Sequence, residues 1–262
     1  MAQPPSGPTT ADSSRLPASS GQRGAQAQHS HPTEVGTSLT TPFRTLVRER
    51  RSYRSFLPEP LDDVTLHETL ADASWAPSNC NTQPWEVHIV SGAARDRLVA
   101  ALLEAEETSP PNPDFSFDAA AYTGALGDRR HAQGAAYHEA LGVERKDYKK
   151  RRSVSVQNLH FFGAPHAAFL FLPQVGDSVR VASDVGMFAQ TFLLALAARG
   201  LAGVPQTTLG MFADTVRREL GISAESKLLF GISFGRPDTS AAAYRYRSTR
   251  EPVETLVRMH TQ

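Results

Sequence analysis

Apolar residues recur along this chain at two spacings, and each spacing predicts a different element. Positions three and four residues apart fall on one helix face, whereas alternation or a short β-branched apolar run is typical of strands. Helices are predicted at about 42–51, 61–75, 93–106, 144–162, 187–199 and 213–220. Strands are predicted at 85–90, 166–172 and 227–234, and a short strand or turn is predicted at 203–208. The chain therefore mixes α and β elements, with the prolines at 110–113 opening a weakly amphipathic stretch.

The first 40 residues do not follow this pattern. They are rich in Pro, Ser, Gly, Gln, Thr and Ala and contain almost no large apolar side chains. Such a segment buries too little surface to offset the entropy of ordering, so we expect a disordered tail at 1–40. It lacks the continuous apolar centre of a signal peptide. The tail is either dispensable or a docking segment, and one folded domain is predicted at 41–262.

Composition narrows the class of protein. Apolar residues make up 40% and charged residues 21% of the 262 residues, and the formal net charge is zero. This balance gives no electrostatic reason to expect nucleic acid or an anionic membrane surface as a partner. No continuous apolar run approaches the roughly 20 residues that span a bilayer. Cys80 is the single cysteine, so no intrachain disulfide forms, and a cytoplasmic location is expected.

Several common catalytic motifs are missing from the sequence. It has no Gly-x-Gly-x-x-Gly segment, no Walker loop, no metal-binding Cys/His spacing and no Gly-x-Ser-x-Gly turn. These absences argue against a nicotinamide-binding Rossmann domain, an NTPase, a zinc enzyme and a serine hydrolase. No metal site is predicted.

A cationic cluster follows the first predicted helix. It comprises Arg50, Arg51, Ser52 and Arg54. Guanidinium groups bind a phosphate in forked, charge-assisted geometry, so this cluster is a candidate phosphate site. The alternative is solvated charge that complements the carboxyl end of a helix.

An amide-rich loop lies one predicted helix further on. Pro77, Ser78, Asn79 and Asn81 fall on a loop that two prolines delimit, and Gln83 is expected to order the loop. Amides offer both donors and acceptors, which suits recognition of a neutral heterocycle. A phosphate site beside a ring-reading loop is what a phosphorylated heterocycle requires.

The order of these motifs resembles the nitroreductase family of FMN-dependent oxidoreductases. That family has an Arg-Arg-Ser-x-Arg-x-Phe segment followed by Pro-Ser-x-x-Asn-x-Gln-Pro-Trp, and both are present here at similar spacing. Later similarities are the segment 158–165 (NLHFFGAP), the Pro205-Gln206 pair and the segment 247–250 (RSTR). The resemblance spans about residues 42–259.

The resemblance implies a set of FMN contacts but no catalytic side chain. If the register shifts by one residue, Gln157 takes the flavin contact in place of Asn158. The alternative for the arginines at 247 and 250 is an ordinary basic tail that does not bind phosphate. His160 in an apolar run is read as structural rather than as an acid. The implied FMN-binding residues are Arg50, Arg51, Ser52, Arg54, Pro77, Ser78, Asn79, Asn81, Asn158, Pro205, Gln206, Arg247 and Arg250.

The resemblance also implies an α+β fold with a central mixed, mainly antiparallel sheet flanked by helices. The family forms an intertwined homodimer with two FMN sites at its interface, with the apolar helix at 187–199 central to it. The loop at 77–84 lies across that interface or beside its own site. Residues 108–150 are either a lid over the substrate, lined by aromatics such as Tyr137, or a peripheral excursion that those aromatics anchor.

The implied function is an FMN-dependent NAD(P)H nitroreductase. Hydride would pass from NAD(P)H through flavin N5 to a small aromatic acceptor, a nitroaromatic or a quinone, by a ping-pong mechanism. Two alternatives stay open: a different flavin reaction, such as dehydrogenation, flavin cleavage or reductive dehalogenation, and a non-catalytic flavin-binding protein.

Overall fold

The computed structural model describes residues 40–261, so the predicted disordered tail, apart from its last residue, lies outside the described residues. The strands are β1 (Glu86–Ser91), β2 (His166–Pro173), β3 (Ala202–Gln206) and β4 (Ser226–Gly235). The helices are α1 (Thr40–Glu49), α2 (Asp63–Ala73), α3 (Gly92–Thr108), α4 (Gly124–Ala140), α5 (Tyr148–Val156), α6 (Val179–Ala198), α7 (Thr207–Gly210), α8 (Ala213–Leu220) and α9 (Val253–Leu256).

The strands form one sheet in the order β1-β2-β4-β3. Every pair of neighbouring strands is antiparallel, which confirms the mainly antiparallel sheet. Within residues 40–261, the one parallel pairing is a single bridge between Ser52 and Gly203. The segment after α1 therefore lies along the outer edge of β3.

Helices cover both faces of the sheet, which gives two apolar layers. Side chains of β2 alternate between them: Phe169 and Phe171 enter the layer under α3 and α8, whereas Leu170 and Leu172 enter the layer under α2 and α6. Successive side chains of a strand point to opposite faces, so a strand covered on both sides is apolar throughout. The continuous apolar run at 166–172 follows from this arrangement.

Helix α6 begins at Val179, eight residues before the predicted start, so that prediction was wrong. The Asp177 carboxylate accepts a hydrogen bond from the Val179 N–H at 3.1 Å, and Ser178 adopts the left-handed conformation just before the helix. The polar residues at 180 and 183 are exposed, which lets them occupy helical positions without entering the core. These polar residues interrupt the apolar pattern, so the sequence did not predict the first two turns of α6.

Helix α6 is also the one helix in the described range that is long and apolar enough to cross a membrane. Half of that stretch is buried inside the fold, and core helices of soluble proteins share its length and composition.

Helix α5 is shorter than the predicted span of 144–162. It begins at Tyr148 because the Asp147 carboxylate accepts a hydrogen bond from the Lys150 N–H at 3.0 Å and caps the first turn. It ends at Val156, and a tight turn at 161–163 follows. Phe161 and Phe162 have φ of 56° and 53°, a conformation that bulky residues rarely adopt. Nothing in a helix-prone, aromatic sequence signals such a turn.

His166, the first residue of β2, should make the protein less stable at mildly acidic pH. Its Nε2 accepts a hydrogen bond from the Leu61 N–H at 2.8 Å, which requires the neutral ring. Burial lowers the pKa of His166 below the ordinary value. The unfolded chain therefore binds more protons below pH about 6.5, and stability falls as pH drops toward the folded-state pKa. Between pH about 7.5 and about 5.5 the loss should reach up to about 1.4 kcal/mol in urea unfolding.

The matched variants for this test are His166→Asn and His67→Gln. His166→Asn keeps an acceptor for Leu61 but cannot titrate, so its stability should vary less with pH than that of the unmodified protein. His67 is exposed on α2, so His67→Gln controls for the removal of a histidine from the surface. An unaltered pH slope in His166→Asn would contradict the assignment.

Candidate functional site

The segment that carries the predicted phosphate ligands is fastened to the fold by its backbone. The Phe56 N–H donates to the Phe162 carbonyl at 3.2 Å, and the Leu57 N–H donates to the Arg236 carbonyl at 2.9 Å. Together with the bridge between Ser52 and Gly203, these contacts extend the segment along the sheet edge. The backbone that carries the side chains at 51–54 is therefore fixed at Ser52 and again at Phe56 and Leu57.

A cavity of about 210 Å³ opens on this segment. Arg51, Ser52 and Arg54, three of the predicted phosphate ligands, share its lining. The remaining lining residues are Gln133, Tyr246 and Ser248, from α4 and from the chain beyond β4. The cavity thus combines two guanidinium groups with hydroxyl and amide donors, a set that suits an anion with several oxygens.

The positive charge in this region is not paired with a carboxylate in the described part of the chain. Across residues 40–261, no carboxylate forms an ion pair with any of the five predicted arginines, at 50, 51, 54, 247 and 250. Nε and Nη2 of Arg51 are buried without a hydrogen-bond partner in the described range. Buried donors are nearly always paired in native proteins, so these two point to a missing acceptor. An FMN phosphate fits that requirement.

Arg50 and Arg54 experience this environment differently. Burial lowers the pKa of both, and for Arg50 the nearby positive charge of Arg250 lowers the pKa further. Like charges held close together without a carboxylate favour an anion between them. Arg250 itself is exposed and donates to the Ser248 hydroxyl at 2.9 Å, which connects it to the lining of the first cavity.

Not all of the predicted arginines line that cavity. Arg50 instead lines a neighbouring space of about 370 Å³ between α1, the arginine segment and the end of α6, which Arg51 also reaches. Arg247 is exposed and lines neither space. The role of Arg247 as an FMN ligand therefore stays a prediction.

The amide-rich loop is shaped by hydrogen bonds of its own. The Gln83 N–H donates to the Ser78 hydroxyl at 2.9 Å, and the Gln83 side chain donates to the Asn81 carbonyl at 3.3 Å. Cys80, Asn81 and Gln83 have φ of 50°, 55° and 46°. Left-handed backbone at non-glycine positions is strained and persists only where the surroundings impose it. Gln83 orders the loop, as the sequence predicted.

One buried carboxylate fixes the loop to α6. The Asn79 N–H donates to both oxygens of Asp184, each at 3.2 Å, and Asp184 is 3% exposed. The side chains of Pro77, Asn79 and Asn81 are exposed. The loop contributes no residue to either arginine cavity. Within one chain, the predicted ring-reading residues and the predicted phosphate residues are therefore not brought into a common cavity.

A second set of predicted ligands does come together at the end of β3. The Gln206 side-chain amide donates to the backbone carbonyl of Asn158 at 2.9 Å and to its side-chain oxygen at 3.2 Å. The Ser233 hydroxyl donates to the other end of the same amide. Gln206 is buried and acts as a bridge, whereas Pro205 is exposed on the sheet edge. Of the two register alternatives, Asn158 is the residue beside β3, and Gln157 is exposed.

Sequence reasoning missed three lining residues of the cavity at Arg51 and Arg54: Gln133, Tyr246 and Ser248. Gln133 lies one helical turn before Tyr137, and residues four apart share a helix face, so the pair could have been recognised as one surface. No local pattern indicates that this surface meets Arg54. In the part of the chain that the structure describes, no group of three or more His, Cys, Asp or Glu side chains could hold a metal ion.

Comparison with known proteins identifies similar chains. A family model described as the nitroreductase family matches residues 47–236. The chain is 40% identical to nitroreductase NfnB of Mycolicibacterium smegmatis over 227 residues, which cover 87% of this chain and 96% of the relative. It is 30% identical to a 4-nitrobenzoate reductase of Pseudomonas putida, covering 82% of this chain and 94% of that relative.

The fold agrees with these relatives. The crystal structure of the FMN-dependent nitroreductase NfnB from Mycobacterium smegmatis, in complex with NADPH, superimposes with a TM-score of 0.82 at 40% identity. The match covers 85% of this chain and all of that structure. A family model that spans most of the chain, high identity over nearly whole relatives and a shared fold lead to one conclusion: the chain belongs to the nitroreductase family.

Proposed function

We propose that this protein is an FMN-dependent oxidoreductase that passes electrons from NAD(P)H to nitroaromatic or quinone acceptors. The observation that carries the proposal is the cavity at Arg51 and Arg54, where guanidinium groups lack any carboxylate partner within residues 40–261. The names of the similar proteins support the chemistry, because they are nitroreductases, and one was crystallised as an FMN-dependent enzyme with NADPH.

The phosphate of FMN would be held in the cavity between the arginine segment, α4 and the chain beyond β4. Arg51 and Arg54 would provide charge-assisted hydrogen bonds, with Ser52, Gln133 and Ser248 as neutral partners. Arg50 and Arg250 would add positive charge beside it. A carboxylate paired with these arginines would compete with the phosphate, and within residues 40–261 none of them forms an ion pair.

The ring of FMN would lie toward the end of β3, beside Pro205 and the contact between Gln206 and Asn158. Gln206 would position this edge from behind, since its buried amide joins β3 to Asn158 and Ser233. FMN, when bound, supplies the two-electron transfer between nicotinamide and acceptor, and the protein supplies binding, orientation and electrostatics. No side chain is required to act as a general acid, because protons can come from water.

A homodimer is part of the proposal. The loop at 77–81 would read the ring in the other copy, which accounts for its exposed side chains and its separation from the arginine cavity. One side of α6, with Ser183, Met187 and Gln190, is exposed on a helix that is mostly apolar, and this side would meet a second copy. We further propose that this dimer is cytoplasmic and acts without membrane or nucleic acid.

The visible spectrum of the purified protein tests the proposal. Anaerobic NADPH should bleach the flavin absorption, and a nitroaromatic added next should restore it. A flavin that neither NADH nor NADPH reduces would favour the alternatives, a different flavin reaction or a non-catalytic flavin-binding protein. A colourless protein that takes up no added FMN would overturn the cofactor assignment.

A further inference from the structure

The guanidinium of Arg54 lies against two tyrosine rings. Its central carbon is 4.7 Å from the ring centroid of Tyr137 and 5.9 Å from that of Tyr246. The two rings also contact each other edge to face, with centroids 5.5 Å apart. Distances up to about 6 Å are those at which a cation is attracted by the face of an aromatic ring. Tyr137 belongs to α4, and Tyr246 to the segment after β4, so two distant parts of the chain meet on one arginine.

This arrangement holds the guanidinium without using its donors. A carboxylate would orient Arg54 by accepting hydrogen bonds from its N–H groups. Those groups would then no longer be available to bind a ligand. An aromatic face attracts the cation through its π electrons and leaves the N–H fork in the guanidinium plane free. Burial raises the pKa of the Tyr137 hydroxyl, so the ring stays neutral and offers no competing anion.

Arg51 is held in a similar manner. Its guanidinium carbon is 4.0 Å from the ring centroid of Tyr244 and 4.7 Å from that of Tyr53, and its Nη1 donates to the Tyr244 carbonyl at 2.8 Å. Nε and Nη2 remain buried and without partners in the described part of the chain. Tyr244 and Tyr246 are two residues apart, so one short segment contacts both arginines.

We infer that Tyr137 and Tyr246 are positioning residues that hold Arg54 ready for the phosphate of the flavin cofactor. The inference rests on the proposed function, because it assumes that the cavity binds that phosphate. It gives α4 a place in the cofactor site, in addition to any role as a cover for the substrate. It also gives a role to the contacts that Tyr244 makes with Arg51 and that Tyr246 makes with Arg54.

The test separates recognition of the phosphate from recognition of the ring. FMN and riboflavin share the ring and differ in the phosphate, so their dissociation constants are compared by fluorescence titration of the full-length apoprotein. Tyr137→Leu should weaken FMN binding by about 3- to 30-fold and leave riboflavin binding nearly unchanged. Tyr137→Phe keeps the ring and should retain the discrimination of the unmodified protein. Tyr148, which is 77% exposed on α5, supplies a matched control as Tyr148→Leu.

A second pair of variants guards against loss of folding. Tyr246→Leu should reproduce the loss of discrimination, because it removes the second ring that contacts Arg54. Arg54→Gln combined with Tyr137→Leu should bind FMN no more weakly than Arg54→Gln alone, because the ring then has no cation to position. Equal weakening of both flavins, an unchanged ratio in Tyr137→Leu, or additive losses in the double variant would overturn the inference. Wild-type protein that shows no preference for FMN over riboflavin would overturn the phosphate assignment as well.

Discussion

FMN should bind about 10- to 150-fold more weakly to the Arg54→Ala variant than to the unmodified protein. The variant removes a charge-assisted contact of about 1.5–3 kcal/mol from a cavity whose positive charge has no carboxylate partner within residues 40–261. Burial already lowers the pKa of Arg54, so its charge is poorly solvated and an anion nearby gains more than it would in water. Equilibrium titration of the apoprotein with FMN measures the loss directly.

The control for this variant is Arg44→Ala. Arg44 is exposed on α1 and lines neither arginine cavity, so its removal changes net charge equally without changing the site. FMN affinity should then stay within about twofold of the unmodified protein. Retention of FMN by Arg54→Ala at unchanged affinity would refute the assignment of the 50–54 segment to the phosphate.

The Asp114→Ala variant should be less stable by about 3–5 kcal/mol, because the change removes the buried carboxylate partner of Arg217 and leaves that cation only an exposed one. The Asp114 side chain is 8% exposed and accepts from Arg217, whose side chain is 11% exposed. The same carboxylate oxygen accepts the Leu228 N–H at 2.7 Å, so its removal also leaves a backbone donor of β4 unpaired. Arg217 would keep only the exposed Asp214 and the Ser226 carbonyl among the partners within residues 40–261.

Urea unfolding followed by circular dichroism tests this expectation, with Asp96→Ala as the comparison. Asp96 pairs with Arg95 at 2.8 Å, but its side chain is 69% exposed. Exposed ion pairs contribute about 0–1 kcal/mol. A loss in Asp114→Ala no greater than that in Asp96→Ala would show that the segment before α4 is not anchored through this carboxylate.

Elements with strong periodicity were predictable from the sequence. Helix α8 has the predicted bounds, and Gly221 ends it in the left-handed conformation that glycine adopts readily. The strand at 166–172 was identified by its uninterrupted apolar run. The start of α6 was missed because it depends on the Asp177 side chain. The turn at 161–163 was missed because it places Phe161 and Phe162 at positive φ, which residue preferences disfavour.

The candidate site likewise contains residues that the sequence predicts and residues that it does not. Arg51, Ser52 and Arg54 are adjacent in sequence, so their density of charge could be recognised without a structure. Gln133 and Tyr246 reach the same cavity from far along the chain, and such contacts depend on how α4 and the chain beyond β4 are placed. Local patterns contain no information about that placement, and the weak amphipathicity of α4 made its orientation unpredictable.

The contact between Asp184 and Asn79 has a mechanical consequence. The Asp184 carboxylate is 3% exposed and has no cation beside it in the described range, so it depends on the Asn79 N–H for its stabilisation. Any shift or rotation of α6 must therefore carry the strained turn at 79–81 with it, because separation would leave the buried anion unsolvated. We therefore expect the turn to follow α6, so that a change in the position of that helix also changes the position of the loop.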